Sequence, residues 1–234
     1  VTVEINNETL KKKGQWPWDR NSLSVEIIKL YQAGAAIVVL PILFADDDRL
    51  GKDRVLARTL KRTPTIIGQV PVNEAGNSGI TRGVAIIGKS WKGWVYQYLG
   101  AVGPIPLLAK NAHAVGMMII SPEKDGVIRR MPLVIAVGDK LYPSMSMEIL
   151  RMAAGDISYQ MKVGIAGVEK LRIPKFKMID TDAHGNIWLD FKWRTPTYAM
   201  HEKLPDLKGK IVLVSLTASG LDSPVPTPVG VIHS

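Results

Sequence analysis

Within residues 21–70 one pattern occurs twice: a helical run closed by a breaker, then an unbroken apolar run. It constrains the fold more than any other feature. Asn21 or Ser22 can cap a helix in which Leu23, Ile27, Leu30 and Tyr31 share one face, and Gly34 ends it. Ala36–Leu40 follows as a β-branched run of the kind that fills a fully buried strand. Asp53 can then cap a helix carrying Leu56 and Leu60, with Lys61 and Arg62 in its last turn and Pro64 as the stop. Thr65–Val70 is the next strand. Strand, helix, strand in that order makes a right-handed parallel crossover the default.

The remainder changes character. Residues 71–83 are turn-rich, with Pro71, Asn73, Gly76, Asn77 and Gly79. Val115–Ile120 and Val127–Val137 read as antiparallel strands joined by the Ser121–Gly126 turn. Pro143 opens a helix with Met145, Ile149 and Met152 inward and Gly155 at its end. The Asp182-Ala-His-Gly-Asn186 stretch suits a hairpin between Lys177–Asp180 and Ile187–Trp193. Leu207–Ser215 is a turn feeding a buried strand. The expected class is therefore mixed α/β: mainly a central β-sheet flanked by helices, with parallel helix–strand units at the N-terminal end and antiparallel hairpins. No linker or charge run divides the chain, so residues 1–234 are expected to form one domain.

Composition narrows the function classes. The 234 residues are 46% hydrophobic and 22% charged, ordinary globular values. The absence of cysteine excludes disulfides, Cys-type zinc sites and thiol catalysis. The longest apolar run, Ala33–Ala45, falls short of the ~20 residues of a membrane-spanning helix and is broken by Pro41. No signal peptide is visible, and the chain opens on Val1 and stops at His233-Ser234 just after an apolar segment, as a piece of a longer protein would. The net charge of +9 suits anionic lipid or nucleic acid. Lys11-Lys-Lys13 lies in an N-terminal arm suited to phospholipid, and lacks the interleaved aromatics that nucleic acid would call for.

Two motifs invite chemistry. Gly83-Val-Ala-Ile-Ile-Gly-Lys-Ser90 satisfies the P-loop expression and would make the chain a nucleotide-binding enzyme. Its interior is aliphatic and stiff where a phosphate cradle wants small, flexible residues. Counted from Asp46, Asp48 and Gly51 fall at calcium-loop positions 3 and 6, but Leu50 at position 5 and Ala57 at position 12 do not fit, and the plain reading is a solvated turn capping a helix at Asp53. The run from Asp46 to Asp53 follows a predicted parallel strand, where α/β sheets place ligands. His113, His184, His201 and His233 have no metal-ligand spacing, and Ser78, Ser219 and Ser234 sit in no nucleophile elbow. Trp16 and Trp18 are expected to pack beside the first helix.

Four segments, in order, resemble one family. They are Gln15-Trp-Pro-Trp-Asp-Arg20; Gly34–Ala45; Asp125-Gly-Val-Ile-Arg-Arg-Met-Pro-Leu133 with Tyr142-Pro-Ser144; and Leu207–Val214 with Asp222, Thr227-Pro228 and Gly230-Val-Ile-His233. Together they are similar to the second family of CHASE-type domains, the cyclase- and histidine-kinase-associated extracellular sensory domains. Pro41 stands where that family usually carries an aspartate, and the stretch between Pro228 and Gly230 is shorter than usual.

The resemblance implies a signal-input domain rather than an enzyme, outside the cytoplasmic membrane of a bacterium. It implies flanking transmembrane helices and a cytoplasmic nucleotide cyclase, histidine kinase, Ser/Thr kinase or diguanylate cyclase. It implies a homodimer answering a small molecule or another environmental signal, with no catalytic residue, metal, cofactor or nucleic acid. The ligand-binding candidates are Asp46, Asp47, Asp48, Arg129, Arg130, Asp222 and Thr227. On alternation, one of Arg129 and Arg130 faces inward, with Asp222 as its expected carboxylate partner.

Overall fold

The computed structural model describes residues 1–75, 79–222 and 224–232. The predicted turn residues Gly76 and Asn77, together with Ser78, Ser223, His233 and Ser234, lie outside the described residues. In chain order the elements begin with β1 (Thr2–Ile5), α1 (Asn7–Lys13), α2 (Arg20–Gln32), β2 (Ile37–Leu43), α3 (Asp53–Arg62) and β3 (Thr65–Val72). They continue with β4 (Ala85–Gly88), β5 (Gln97–Tyr98), β6 (Gly100–Val102), α4 (Pro106–Asn111), β7 (Ala114–Met117), β8 (Arg130–Pro132), β9 (Val134–Val137), β10 (Lys140–Pro143) and α5 (Met145–Ala153). The last are β11 (Gln160–Gly164), β12 (Gly167–Ile173), β13 (Lys177–Asp180), β14 (Asn186–Trp188), β15 (Thr197–Ala199), β16 (Ile211–Leu216), β17 (Val225–Thr227) and β18 (Gly230–Ile232). This is the mixed α/β class the sequence predicts, with its strands shared among several sheets.

The chain forms two compact units, one of Val1–Ile67, Pro104–Ala114 and Phe191–Ser234, the other of Gly68–Gly103 and Val115–Asp190. The first holds the parallel sheet. β1 lies between β15 and β16, parallel to both, and β16 is parallel to β2. Ile37–Leu40 are all buried, as the unbroken apolar run requires. β16 instead alternates, with Val212 and Val214 buried and Leu213 exposed. Leu23, Ile27 and Leu30 of α2 and Leu56 and Leu60 of α3 are buried, each contributing about 1.5–3 kcal/mol.

The caps differ from the sequence reading. Asp19 caps α2, accepting from the amides of Asn21 and Ser22, so the helix starts earlier than Asn21. Asp53 does not cap α3. The cap position is Lys52, and the Asp53 carboxylate is turned to other partners. Lys11–Lys13 belong to α1 rather than to an irregular N-terminal arm, with Lys11 paired to Glu8 and Lys13 to Glu26. Trp18 is buried, its indole N–H donating to Gly14 O, and meets Trp16 edge to face. Gly34 ends α2 with φ +100°, and a β-carbon there would fall 2.8 Å from the Lys208 backbone. The 207–209 turn closes on it, Leu207 N donating to Ala33 O and Gly209 N to Gly34 O.

The second unit is built from smaller sheets. β13-β12-β11-β4 is antiparallel except where β4 runs parallel to β11. β9 pairs antiparallel with β10 and parallel with β5, and β8 pairs with β14. Both predicted hairpins are therefore wrong. The run 127–137 splits at Leu133 into β8 and β9, which go to different partners, and Met118 N donates to Gln69 O at the end of β7. Lys177–Asp180 pairs with β12, and the strand after the Asp182–Asn186 turn with β8. Ser144, not Pro143, opens α5, its side chain accepting from Met147 N. The core gathers Leu133, Val134, Met147, Tyr159, Met161 and Leu171.

One polar network lies inside that core. Arg151 donates to Glu148 Oε2 through Nε at 2.9 Å and Nη2 at 2.8 Å, to Tyr159 Oη at 3.2 Å and to Asp156 O at 2.7 Å. Burial, with Glu148 next, pushes the Tyr159 hydroxyl far above its ordinary value, so it stays protonated. Arg151→Ala would leave Glu148 buried without its cation, and urea unfolding is expected to show a loss of about 3–5 kcal/mol. Gly34→Ala combines a left-handed backbone with overlap on Lys208, for an expected loss of about 1–3 kcal/mol in the same assay.

Candidate functional site

Arg129 and Arg130 leave the 121–127 loop next to each other, and both reach Glu123. Arg129 Nη1 donates to Glu123 Oε2 at 3.0 Å, and Arg130 Nε to Oε1 at 2.9 Å. Arg129 also holds Asp125 through both carboxylate oxygens, at 3.1 and 2.8 Å. Arg130 Nη1 donates to Asp182 Oδ2 at 3.0 Å, and its guanidinium carbon lies 5.1 Å from the Trp188 ring centre, opposite it in the β8–β14 register. Asp182 organises its own turn by accepting from the amides of His184 and Asn186.

These partners correct two expectations. The carboxylates bound by the arginines are Glu123, Asp125 and Asp182, in place of Asp222. Neither arginine is alone in facing inward: both are about one-third exposed, because Arg129 precedes β8 and strand alternation does not apply to it.

The Arg129 guanidinium, with the Val127 amide second, lowers the Asp125 carboxyl to about 2. Burial alone would raise Asp182, but bonds from Asn186, His184 and Arg130 together hold it below its ordinary value. Next to the arginine cluster opens a cavity of about 590 Å³, its wall including Tyr96, Ser121, Glu123, Lys124, Arg130 and Asn186. That volume is in the range of small-molecule sites.

The other predicted residues lie in the first unit. Asp46–Asp48 form a turn after β2. Arg20 Nη2 donates to Asp46 O at 2.9 Å and Arg20 Nε to Asp53 at 3.2 Å, while Asp53 Oδ2 accepts from Asp48 N at 2.8 Å. Asp48 Oδ2 accepts from Lys52 N, and Asp47 is exposed. Thr227 is buried and closes the β17–β18 hairpin, its hydroxyl donating to Gly230 O at 2.6 Å. The Asp222 amide donates to Ala218 O.

The P-loop reading fails. Ala85–Gly88 is extended and paired with β11, and Lys89 N donates to Val163 O, so these amides form a sheet edge and not a phosphate cradle. Gly88 is glycine because a β-carbon there would collide with Val163 O. No helix follows Ser90, where a turn at 92–94 stands instead.

With the fold and this cavity in view, the model of the CHASE2 domain matches residues 1–234. The chain belongs to the CHASE2 family. CHASE2 is a family of sensory extracellular domains of signalling proteins, and as a sensory domain it is not catalytic. The match bears out the family resemblance and covers both compact units. No curated protein and no solved structure matches this chain. Among the described residues no helix is long and apolar enough to cross a membrane.

Sequence reasoning missed Glu123, Asp182, Tyr96 and Asn186. One signal was readable: Asp125 and Arg129 stand four residues apart around a Gly126 turn. The lowered Asp125 carboxyl has a pH consequence. Its folded value lies below the unfolded value of about 3.9, so its contribution to stability is complete above that pH and is lost as pH falls toward about 2. Carboxyl NMR titration is expected to find Asp125 near 2 and to return it to the ordinary range in Arg129→Gln.

Proposed function

We propose that this CHASE2 chain is the extracytoplasmic input domain of a bacterial transmembrane receptor. Whole-chain membership in the family carries this reading. Helices flanking the domain would anchor it in the membrane, and a cytoplasmic nucleotide cyclase, kinase or diguanylate cyclase would answer to it. The receptor signals as a homodimer, and its stimulus shifts the balance between two arrangements of the domain.

The parallel sheet pairs its first strand on both edges. Val1 N donates to Ile211 O at 3.0 Å and Leu213 N donates to Val1 O, extending the β1–β16 ladder one residue upstream. Thr2–Ile5 is thus held on both sides.

The cysteine-free sequence offers a direct test of location. Ile165 is 91% exposed in the β11–β12 turn. Ile165→Cys in the full-length protein is expected to react with a membrane-impermeant maleimide on intact cells, above the level of the unsubstituted protein. Labelling that appears only after the cells are broken would contradict an extracytoplasmic domain.

A further inference from the structure

Hydrogen-bonding capacity around the second unit's cavity is lopsided. Both oxygens of Glu123 accept from arginines, both of Asp125 from Arg129, and both of Asp182 from Arg130, Asn186 and backbone amides. Each of these carboxylate oxygens therefore already meets at least one donor, whereas two cationic side chains on the wall have N–H groups to spare. Arg130 bonds through Nε and Nη1, leaving Nη2 without a hydrogen bond among the described residues. Lys124 is exposed and makes no ion pair among the described residues. Tyr96 and Ser121 add hydroxyls to the wall.

Charge limits what such a wall accepts. Lys124, Arg129 and Arg130 balance Glu123, Asp125 and Asp182. A single carboxylate adds one negative charge to this balanced set, whereas a phosphate dianion adds two. A second feature asks for a donor on the ligand. Asn186 is 3% exposed and lines the cavity, its Nδ2 is used on Asp182 and Tyr96, and its Oδ1 has no hydrogen-bond partner among the described residues. A buried amide oxygen left in that state costs stability until a donor reaches it.

We infer that the cavity binds a small α-hydroxy or α-amino acid, its carboxylate against Arg130 and Lys124 and its neighbouring donor toward Asn186 Oδ1. The planar guanidinium matches a carboxylate in shape, and the lysine supplies an adaptable point charge. Tyr96 and Pro122 give the rest of the molecule a mainly apolar surface. This rests on the sensory reading for its consequence, which is signalling. Binding itself can be measured apart from it.

Calorimetric titration of the purified chain with glycolate, L-lactate, glycine and L-alanine tests the site, with acetate and inorganic phosphate as comparisons. At least one of the four is expected to bind saturably, one per chain, and more tightly than acetate or phosphate. Lys124→Ala, which removes no ion pair, and Arg130→Lys are each expected to weaken binding by about tenfold or more, with the Lys124→Ala melting temperature unchanged. The inference is overturned if none of the four binds, if phosphate binds as tightly, or if both variants bind like the parent.

Signalling is read in the full-length protein, comparing Lys124→Ala with deletion of residues 1–234. A response to the bound acid that is lost on deletion but kept in Lys124→Ala removes the cavity and leaves the sensory reading standing. Output that deletion does not change removes the sensory reading, whatever the calorimetry finds.

Discussion

Glu123 is the residue on which the second unit's surface architecture depends. Its two oxygens are divided between two adjacent arginines, one on each. That division ties a loop with no regular structure to β8, and through Arg130 and Asp182 to the turn that precedes β14. Exposed ion pairs of this kind contribute only about 0–1 kcal/mol each. Their effect lies in position. Five charged side chains in mutual contact fix where the loop runs, and the loop forms much of the cavity wall.

The two units divide their work according to sheet type. In the first, parallel strands align their carboxyl ends, and the loops leaving that edge are tied down locally: Asn7 Nδ2 to Ser219 at 2.9 Å, Thr9 to His201 at 2.8 Å and Arg20 to Asp53. The acidic run that looked like a site is part of this fastening. In the second, short strands that change partners leave concave surface between a loop and a β-ribbon. The cavity with free donors lies there.

What was legible in the sequence follows the range of the forces involved. The two helix–strand units rest on local periodicity, and both formed where expected. Their caps shifted because Asp53 has a stronger use in holding Arg20 and the Asp48 amide than in capping its own helix. The antiparallel hairpins failed because strand pairing is non-local. Nothing in residues 127–137 shows that a break at Leu133 sends its two halves to different partners. Gly34 was read as a helix stop, and it is one, but the close approach of Lys208 was invisible at that distance in sequence. Arg129 and Arg130 stand out in the sequence as adjacent charges and ligand-binding candidates. Their partners do not, because Glu123 and Asp182 become neighbours only once β8 lies against β14.

Hydrogen exchange in Glu123→Gln tests this account of the loop most directly. Glutamine keeps the size of the side chain but removes its charge and one of its two acceptors, so it can no longer serve both arginines. The account predicts faster exchange across residues 121–130 and 182–186, with the amides of β1, β2 and β16 unchanged. Unaltered exchange in the loop and the 182–186 turn would contradict it.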